Sequence, residues 1–380
     1  MKAAAFLYPW DVVGDPDAAA RIADLGVRQV TLASAYHSTR ALTPRHPRHR
    51  IVTAEYAAVL YPPDAARWAG RGLRPYAAGE WAPGDAYGEA AATLEAAGLD
   101  VRTWVVLAHN SRMGAEHPAT SVVNAYGDRY PWAPCIAQPA VREYLVSLAA
   151  EAAVRPGARG TELESCGWYG AAHLHAHDKI SGVALDDAAQ YLMSLCFCPS
   201  CRDGYGRAGL DPGRLAASVR DALEPVWHGH DAPVRPLGTD QAEAVLEFRT
   251  RTARTLQESA VAAVRAAAPE GFQVLLHADP KAHHCGANAG VDPAHILSVA
   301  DGVVVPCTGG PQLLEPFAEH ATDETVLAAN FTVVTGMGGA PAALAASAAK
   351  AASLGATELR LYHAGLAPDA DLALLGPALS

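Results

Sequence analysis

Gly98-Leu99-Asp100-Val101-Arg102-Thr103-Trp104-Val105-Val106-Leu107-Ala108-His109-Asn110 carries the plan of the whole chain. The glycine stops the helical segment Asp85 to Ala97, as a left-handed C-cap favours. An apolar run over Val101 to Ala108 then reads as a buried strand, and it ends on the polar pair His109-Asn110. The beat is helix, glycine, strand, polar end. Upstream, Lys2 to Tyr8 is a strand ending at Pro9-Trp10-Asp11, and helical Asp15 to Leu25 stops at Gly26. Val27 to Ala35 is the next strand and ends in Tyr36-His37-Ser38-Thr39-Arg40, with Thr53 to Tyr61 expected as a loop excursion.

Downstream, helical Arg142 to Val154 leads to the short strand Gly160 to Ser165, and Gln241 to Ala267 is a long amphipathic helix. The strand Gln273 to Leu276 ends at His277-Ala278-Asp279, and Gly302 to Val305 ends at Pro306-Cys307. Thr325 to Ala329 ends at Asn330, helical Ala340 to Ser353 stops at Gly355, and Glu358 to Leu361 ends at Tyr362-His363. Strands alternating with helices imply a parallel sheet with helices outside. Eight such units in 380 residues predict an α/β fold, a (β/α)8 TIM barrel with a zinc-binding loop insertion. No G-x-G-x-x-G follows the first strand and there is no P-loop, which argues against an open doubly wound sheet. The expected organisation is one barrel over residues 1–380, with a zinc knuckle inside 130–207.

Composition narrows the function classes. Half the residues are hydrophobic and 18% are charged, an ordinary globular balance. The net charge of −11 argues against a nucleic-acid partner, which favours a basic face. No apolar run reaches the length of a membrane span, and the first residues lack a signal-peptide core. Seven cysteines do not form a disulfide framework. The expectation is a soluble cytoplasmic protein acting on a small molecule. The helix after Cys201 and the one from Gln241 are read as barrel exterior or as a homo-oligomer contact.

In a barrel, chemistry belongs to the carboxyl ends of the strands. Those ends supply Tyr36, His37 and Arg40; His109 and Asn110; Glu162 and Glu164; His277 and Asp279; Asn330; Tyr362 and His363. Each alone suits an ordinary exposed loop; together they favour a polar pocket. Strand alternation puts Glu162 and Glu164 on one face. Glu164, nearer the carboxyl end, is the better candidate for a general acid whose pKa is raised by aromatic neighbours. Trp168 and Tyr169 are either core or a stacking platform for a sugar ring. In His173-Leu174-His175-Ala176-His177-Asp178, three alternate histidines share one face if extended. They suit either a second metal or a neutral hydrogen-bonding wall around a polyol.

Cys196-Phe197-Cys198-Pro199-Ser200-Cys201 has the spacing of a structural zinc knuckle. The alternative is a run of buried reduced thiols. Three thiolates leave a tetrahedral ion one ligand short.

The order of glutamate-bearing strand end, loop, C-x-C-x-x-C and helix resembles the family-42 β-galactosidases of glycoside hydrolase clan A. Tyr130-Pro131-Trp132-Ala133-Pro134-Cys135-Ile136-Ala137-Gln138-Pro139-Ala140-Val141-Arg142-Glu143-Tyr144 is similar to the segment that supplies that family's fourth thiolate. The resemblance implies Cys135 as fourth ligand of a structural zinc and Glu164 as the acid/base. It also implies a nucleophilic glutamate at the end of the seventh strand, where this chain has Val326-Leu327-Ala328-Ala329-Asn330-Phe331, and an asparagine before the acid/base, where it has Leu163. The reading that follows is a glycoside hydrolase-like enzyme with a non-standard second group. Asp279 is its candidate, separated across the barrel by the 6.5–9.5 Å of an inverting pair. Two other readings stay open: a metal-dependent sugar isomerase or lyase using His175, His177, His277 and Asp279, and a non-catalytic carbohydrate-binding relative.

Overall fold

The computed structural model describes residues 1–171, 179, 182–228 and 233–379. Eight parallel strands form its centre: β1 (Lys2–Leu7), β2 (Gln29–Tyr36), β3 (Asp100–Val106), β4 (Ala158–Glu164), β5 (Gln273–Asp279), β6 (Gly302–Pro306), β7 (Val326–Thr332) and β8 (Glu358–Tyr362). Each pairs with its sequence neighbour, and β1 pairs with both β2 and β8, so the sheet closes. Helices α1 (Ala18–Ala23), α2 (Ala86–Ala96), α3 (Pro139–Ala153), α4 (Thr239–Ala267), α5 (Pro293–Val299), α6 (Glu315–Ala318) and α7 (Leu344–Ser353) fill the connections in order. This is the (β/α)8 barrel expected from the alternation, and closure leaves no sheet edge of the barrel itself exposed.

The two faces of the strands have different jobs. Outward residues such as Leu32, Val105, Leu163, Leu276, Val305, Leu327 and Leu361 join the helices in the main core. Burying each such side chain fully is worth roughly 1.5–3 kcal/mol. Helix α4 shows why its sequence folds so: Val245, Phe248, Thr252, Leu256, Ala260 and Val264 recur at helical spacing and are buried. The inward face is polar for a barrel interior. Glu162, Arg360, Glu358, Thr31, Arg102 and His277 are all buried. Arg360 Nε donates to Glu162 Oε1 at 2.7 Å, and Thr31 Oγ1 donates to the same oxygen at 3.2 Å.

Several connections at the carboxyl end are long. The segment after β2 holds a two-stranded ribbon, Thr39–Leu42 against Ile51–Ala54, and the short strand Ala58–Val59, which adds antiparallel to β2. The expected loop over Thr53 to Tyr61 is therefore partly strand. The ribbon Ser121–Val123 and Arg129–Pro134 lies between β3 and α3, beside the helix Ser111–Glu116. An added Cβ at Gly114 of that helix would strike the carbonyl of Pro131, so the close approach requires glycine. Three further helices, Asp187–Met193, Pro199–Arg207 and Pro212–Leu223, lie between β4 and α4. No helix among the described residues is long and apolar enough to cross a membrane.

Candidate active site

Glu162 and Glu164 both point into the barrel, two residues apart on β4, and their surroundings drive them in opposite directions. Glu162 is buried, which raises its pKa, but the Arg360 guanidinium and the His277 ring outweigh burial and hold it down at about 2. Glu164 is raised by burial, only partly offset by His277 and by hydrogen bonds from Trp104 and Tyr362. Trp104 Nε1 donates to Glu164 Oε2 at 2.8 Å and Tyr362 Oη donates to it at 3.3 Å. The His277 imidazole lies between the two carboxylates, with Nε2 3.5 Å from Glu162 Oε2 and Nδ1 3.8 Å from Glu164 Oε2. Two carboxyl groups pushed apart in this way provide one fixed charge and one group able to hold a proton.

An aromatic cage desolvates Glu164. Trp104 is fully buried and meets Phe6, Tyr36, Tyr8 and Tyr362 at ring separations of 4.8, 4.7, 5.4 and 5.5 Å. Tyr8 donates to the Tyr36 hydroxyl at 2.9 Å, and His363 Nδ1 lies 3.1 Å from the Tyr8 hydroxyl. Burial raises the pKa of Tyr8, Tyr36 and Tyr362 well above 10, so all three stay neutral. It lowers His363 to about 3, leaving a neutral imidazole. Ser165 and His363, the residues just past Glu164 and Tyr362, have φ of 55° and 62°. Left-handed backbone is costly outside glycine and collects at functional sites; here it sits at the ends of the two strands whose side chains meet.

Asp279 stands on β5, next to β4 rather than across the barrel from it. Register pairs Leu276 with Leu163, which sets His277 level with Glu164 and Asp279 one inward position beyond. Strand spacing and rise place the Glu164 and Asp279 backbones about 8 Å apart. Asp279 is buried, accepts from the Lys281 amide at 2.8 Å, and has His284 Nδ1 at 3.8 Å. Asn330 stands on the inward face of β7, and its Oδ1 is buried with no hydrogen bond among the described residues. That strand bears a carboxamide where the sequence resemblance implies a carboxylate.

The remaining expected residues divide. Tyr36 stacks on His37 at 4.2 Å, His37 lies 4.6 Å from His109, and His109 stacks on Tyr169 at 4.5 Å. These form one continuous wall above the cage. Arg40 is exposed on the ribbon after β2. Asn110 caps the helix Ser111–Glu116, accepting from the Met113 amide at 2.9 Å. Trp168 is core: its Nε1 donates to the Arg249 carbonyl at 2.9 Å, and the Arg249 guanidinium lies 4.3 Å from its ring centroid. His175 and His177 lie outside the described residues. Trp104, Arg360 and Tyr8 also belong to the site, beyond the residues expected from the sequence. Trp104 was detectable, since alternation along β3 puts it inward; Arg360 was not, because its partner is 198 residues away.

Cys135, Cys196, Cys198 and Cys201 converge, with ligand atoms all within 4.8 Å of one another and all four buried. Cys135 Sγ lies 3.5 Å from Cys201 Sγ and 3.6 Å from Cys198 Sγ. Thiolates on a tetrahedral ion with 2.3 Å bonds stand about 3.8 Å apart, so four thiols at this spacing fit a metal ion. The Val123 and Cys198 amides donate to Cys196 Sγ, each at 3.4 Å. The cluster joins the β3–α3 connection to the β4–α4 connection. Among the described residues no other group of His, Cys, Asp and Glu meets this way.

The fold is a closed (β/α)8 barrel. The particular likenesses are to an α-L-fucosidase isoenzyme 2 from Paenibacillus thiaminolyticus (TM-score 0.59, 12% identity, all of this chain and 48% of that one) and to the PgaB glycoside hydrolase domain from Bordetella bronchiseptica (TM-score 0.57, 15% identity, 100% and 98% covered). A GH42 β-galactosidase from G. stearothermophilus matches with TM-score 0.54 and 12% identity, covering 100% of this chain and 56% of that one. The chain spans about half the length of the fucosidase and the β-galactosidase. At these identities the likeness shows the fold. No protein-family model matches the chain, and no curated protein matches it.

Proposed function

We propose that the chain is a glycoside hydrolase in which Glu164 is the general acid. One observation carries the reading: of two inward glutamates on one strand, Glu162 is held ionised by Arg360 while Glu164 is pushed towards its protonated form by burial in the aromatic cage. Glu164 donates its proton to the glycosidic oxygen as the bond to the anomeric carbon breaks. The carboxylate left behind is already served by the Trp104 N–H and the Tyr362 O–H, which stabilise charge where it forms. Asp279 accepts a proton from a water whose oxygen bonds to the anomeric carbon. The two carboxylates stand on neighbouring strands, and an inverting pair needs room between its carboxyl groups for that water. Tyr36, His37, Arg40, His109, His277, Tyr362 and the undescribed His175 and His177 are the proposed contacts to sugar hydroxyls.

The four cysteines would hold zinc. A closed four-sulfur shell leaves no open position, so the ion would tie two connections together and supply no chemistry. Asn330 favours one second reading, a carbohydrate-binding barrel without turnover, because β7 lacks a carboxylate. Nothing described favours the metal-dependent isomerase reading: His277 is placed between two glutamates, and the histidine run lies outside the described residues. Turnover of an aryl-glycoside panel by wild type and Glu164→Gln separates the two supported readings. We expect activity in wild type and a loss of about 100-fold or more in the variant. Saturable sugar binding with no turnover in either protein would establish the binding reading instead.

A further inference from the structure

A second feature of the carboxyl-end rim lies beside the mouth. The β2–α2 connection and the helix Ser111–Glu116 enclose a groove of about 590 Å³, within the range of small-molecule sites. Its charged lining consists of Arg71, Arg74 and Arg112, with no carboxylate, on a chain whose net charge is −11. Two of these guanidinium groups are backed by rings. Arg112 lies 4.2 Å from the centroids of both Tyr56 and Tyr76, and Arg71 lies 5.6 Å from that of Trp68. Glu116 and Glu143 pair with Arg112 and Arg71 at 2.8 and 2.9 Å and fix their positions, yet neither lines the groove. Arg74 is exposed and makes no ion pair among the described residues. Pro75 and Tyr76 also line a separate small cavity whose other walls include Tyr36 and His109, so the groove lies on the same side of the barrel as the wall of the candidate site.

We infer that this groove is a subsite for an anionic sugar unit, one bearing a carboxylate or a sulfate. Planar guanidinium forks held by aromatic faces recognise such oxyanions by paired hydrogen bonds. The inference deepens the glycosidase reading and rests on it for the choice of ligand: the mouth takes one sugar and the groove takes an acidic unit further along the chain.

Calorimetric titration of the full chain with trigalacturonate, a sulfated galactose trisaccharide and neutral galactotriose tests it. Wild type and Glu164→Gln bind one or both acidic sugars equally well and bind galactotriose at least tenfold more weakly. Arg74→Gln, with an unchanged melting temperature, loses about tenfold in acidic-sugar affinity, the loss of one charge-assisted contact, and added salt weakens wild-type binding. Binding of trigalacturonate alone identifies the carboxylate as the recognised group, and binding of the sulfated sugar alone identifies the sulfate. Equal affinity for neutral and acidic sugars, absence of acidic-sugar binding, or an unchanged affinity in Arg74→Gln would overturn the inference. The titration reads binding directly, so acidic-sugar binding without turnover would sink the role of Glu164 while leaving the groove intact.

Discussion

Two glutamates separated by one leucine show how far a side chain's job is set by what faces it. Glu162 is the counter-charge of the fully buried Arg360. Glu162→Gln leaves that guanidinium with only Glu358, and removing one partner of a buried ion pair costs about 3–5 kcal/mol. Urea unfolding should show the loss, and pairing the change with Arg360→Met should recover part of it. Glu164→Gln keeps an oxygen that can accept from Trp104 and Tyr362, and should leave stability within about 1 kcal/mol of wild type. The sequence placed both glutamates on one inward face through the period of a strand. Position along the strand pointed to Glu164 as the acid, but the groups that set the two carboxyls apart were out of reach, because Arg360 comes from the last strand and Trp104 from the third.

Elements were legible where pattern and punctuation agree. Glycines such as Gly26 and Gly98, both with positive φ, marked helix ends, and all eight barrel strands fall on runs read as strands. The ribbons after β2 and β3 were missed, since Thr39–Leu42 and Ile51–Ala54 are short, half-exposed and separated by a proline- and histidine-rich turn. Such strands exist through pairing with each other rather than through an apolar face. The cysteine cluster works at this scale by pinning one connection to another. Phe197 N donates to the Val123 carbonyl at 2.6 Å, and the Tyr130 hydroxyl donates to the Met193 carbonyl at 2.9 Å, on either side of the cluster. Metal analysis should find one zinc per chain. Cys201→Ala or chelation should lower the melting temperature by roughly 5 °C or more. A metal-free protein with an unchanged melting temperature would remove the ion from the proposal.

At the scale of the whole molecule, a polar barrel interior ties stability to pH. Glu162 is depressed to about 2 in the folded state, so it stabilises the fold fully above its unfolded value of about 4.3 and less as pH falls towards 2. His363 is depressed to about 3, so its contribution is complete above about 6.5 and is lost as pH falls towards 3. Asp11 runs the other way. Burial raises it to about 7, outweighing the Tyr8 amide and Arg45, so it favours the fold below about 3.9 and loses that contribution as pH rises to about 7. Between about pH 4.3 and 6.5 Asp11 and His363 largely cancel. Below that window Glu162 and His363 act together, so urea midpoints should fall steeply from about pH 4 downward. His363→Asn should flatten the fall; an unchanged slope would show that the ring is not buried neutral.

The role of Glu164 is tested most directly by leaving-group dependence. A dinitrophenolate departs without help, whereas an alkoxide needs a proton as the bond breaks. Kinetics of Glu164→Gln should therefore divide by substrate. We expect a loss of about 100-fold or more in kcat/KM on an alkyl glycoside, against less than about tenfold on the dinitrophenyl glycoside of the same sugar. Equal losses on both substrates, or full activity on the alkyl glycoside, would contradict Glu164 as the proton donor.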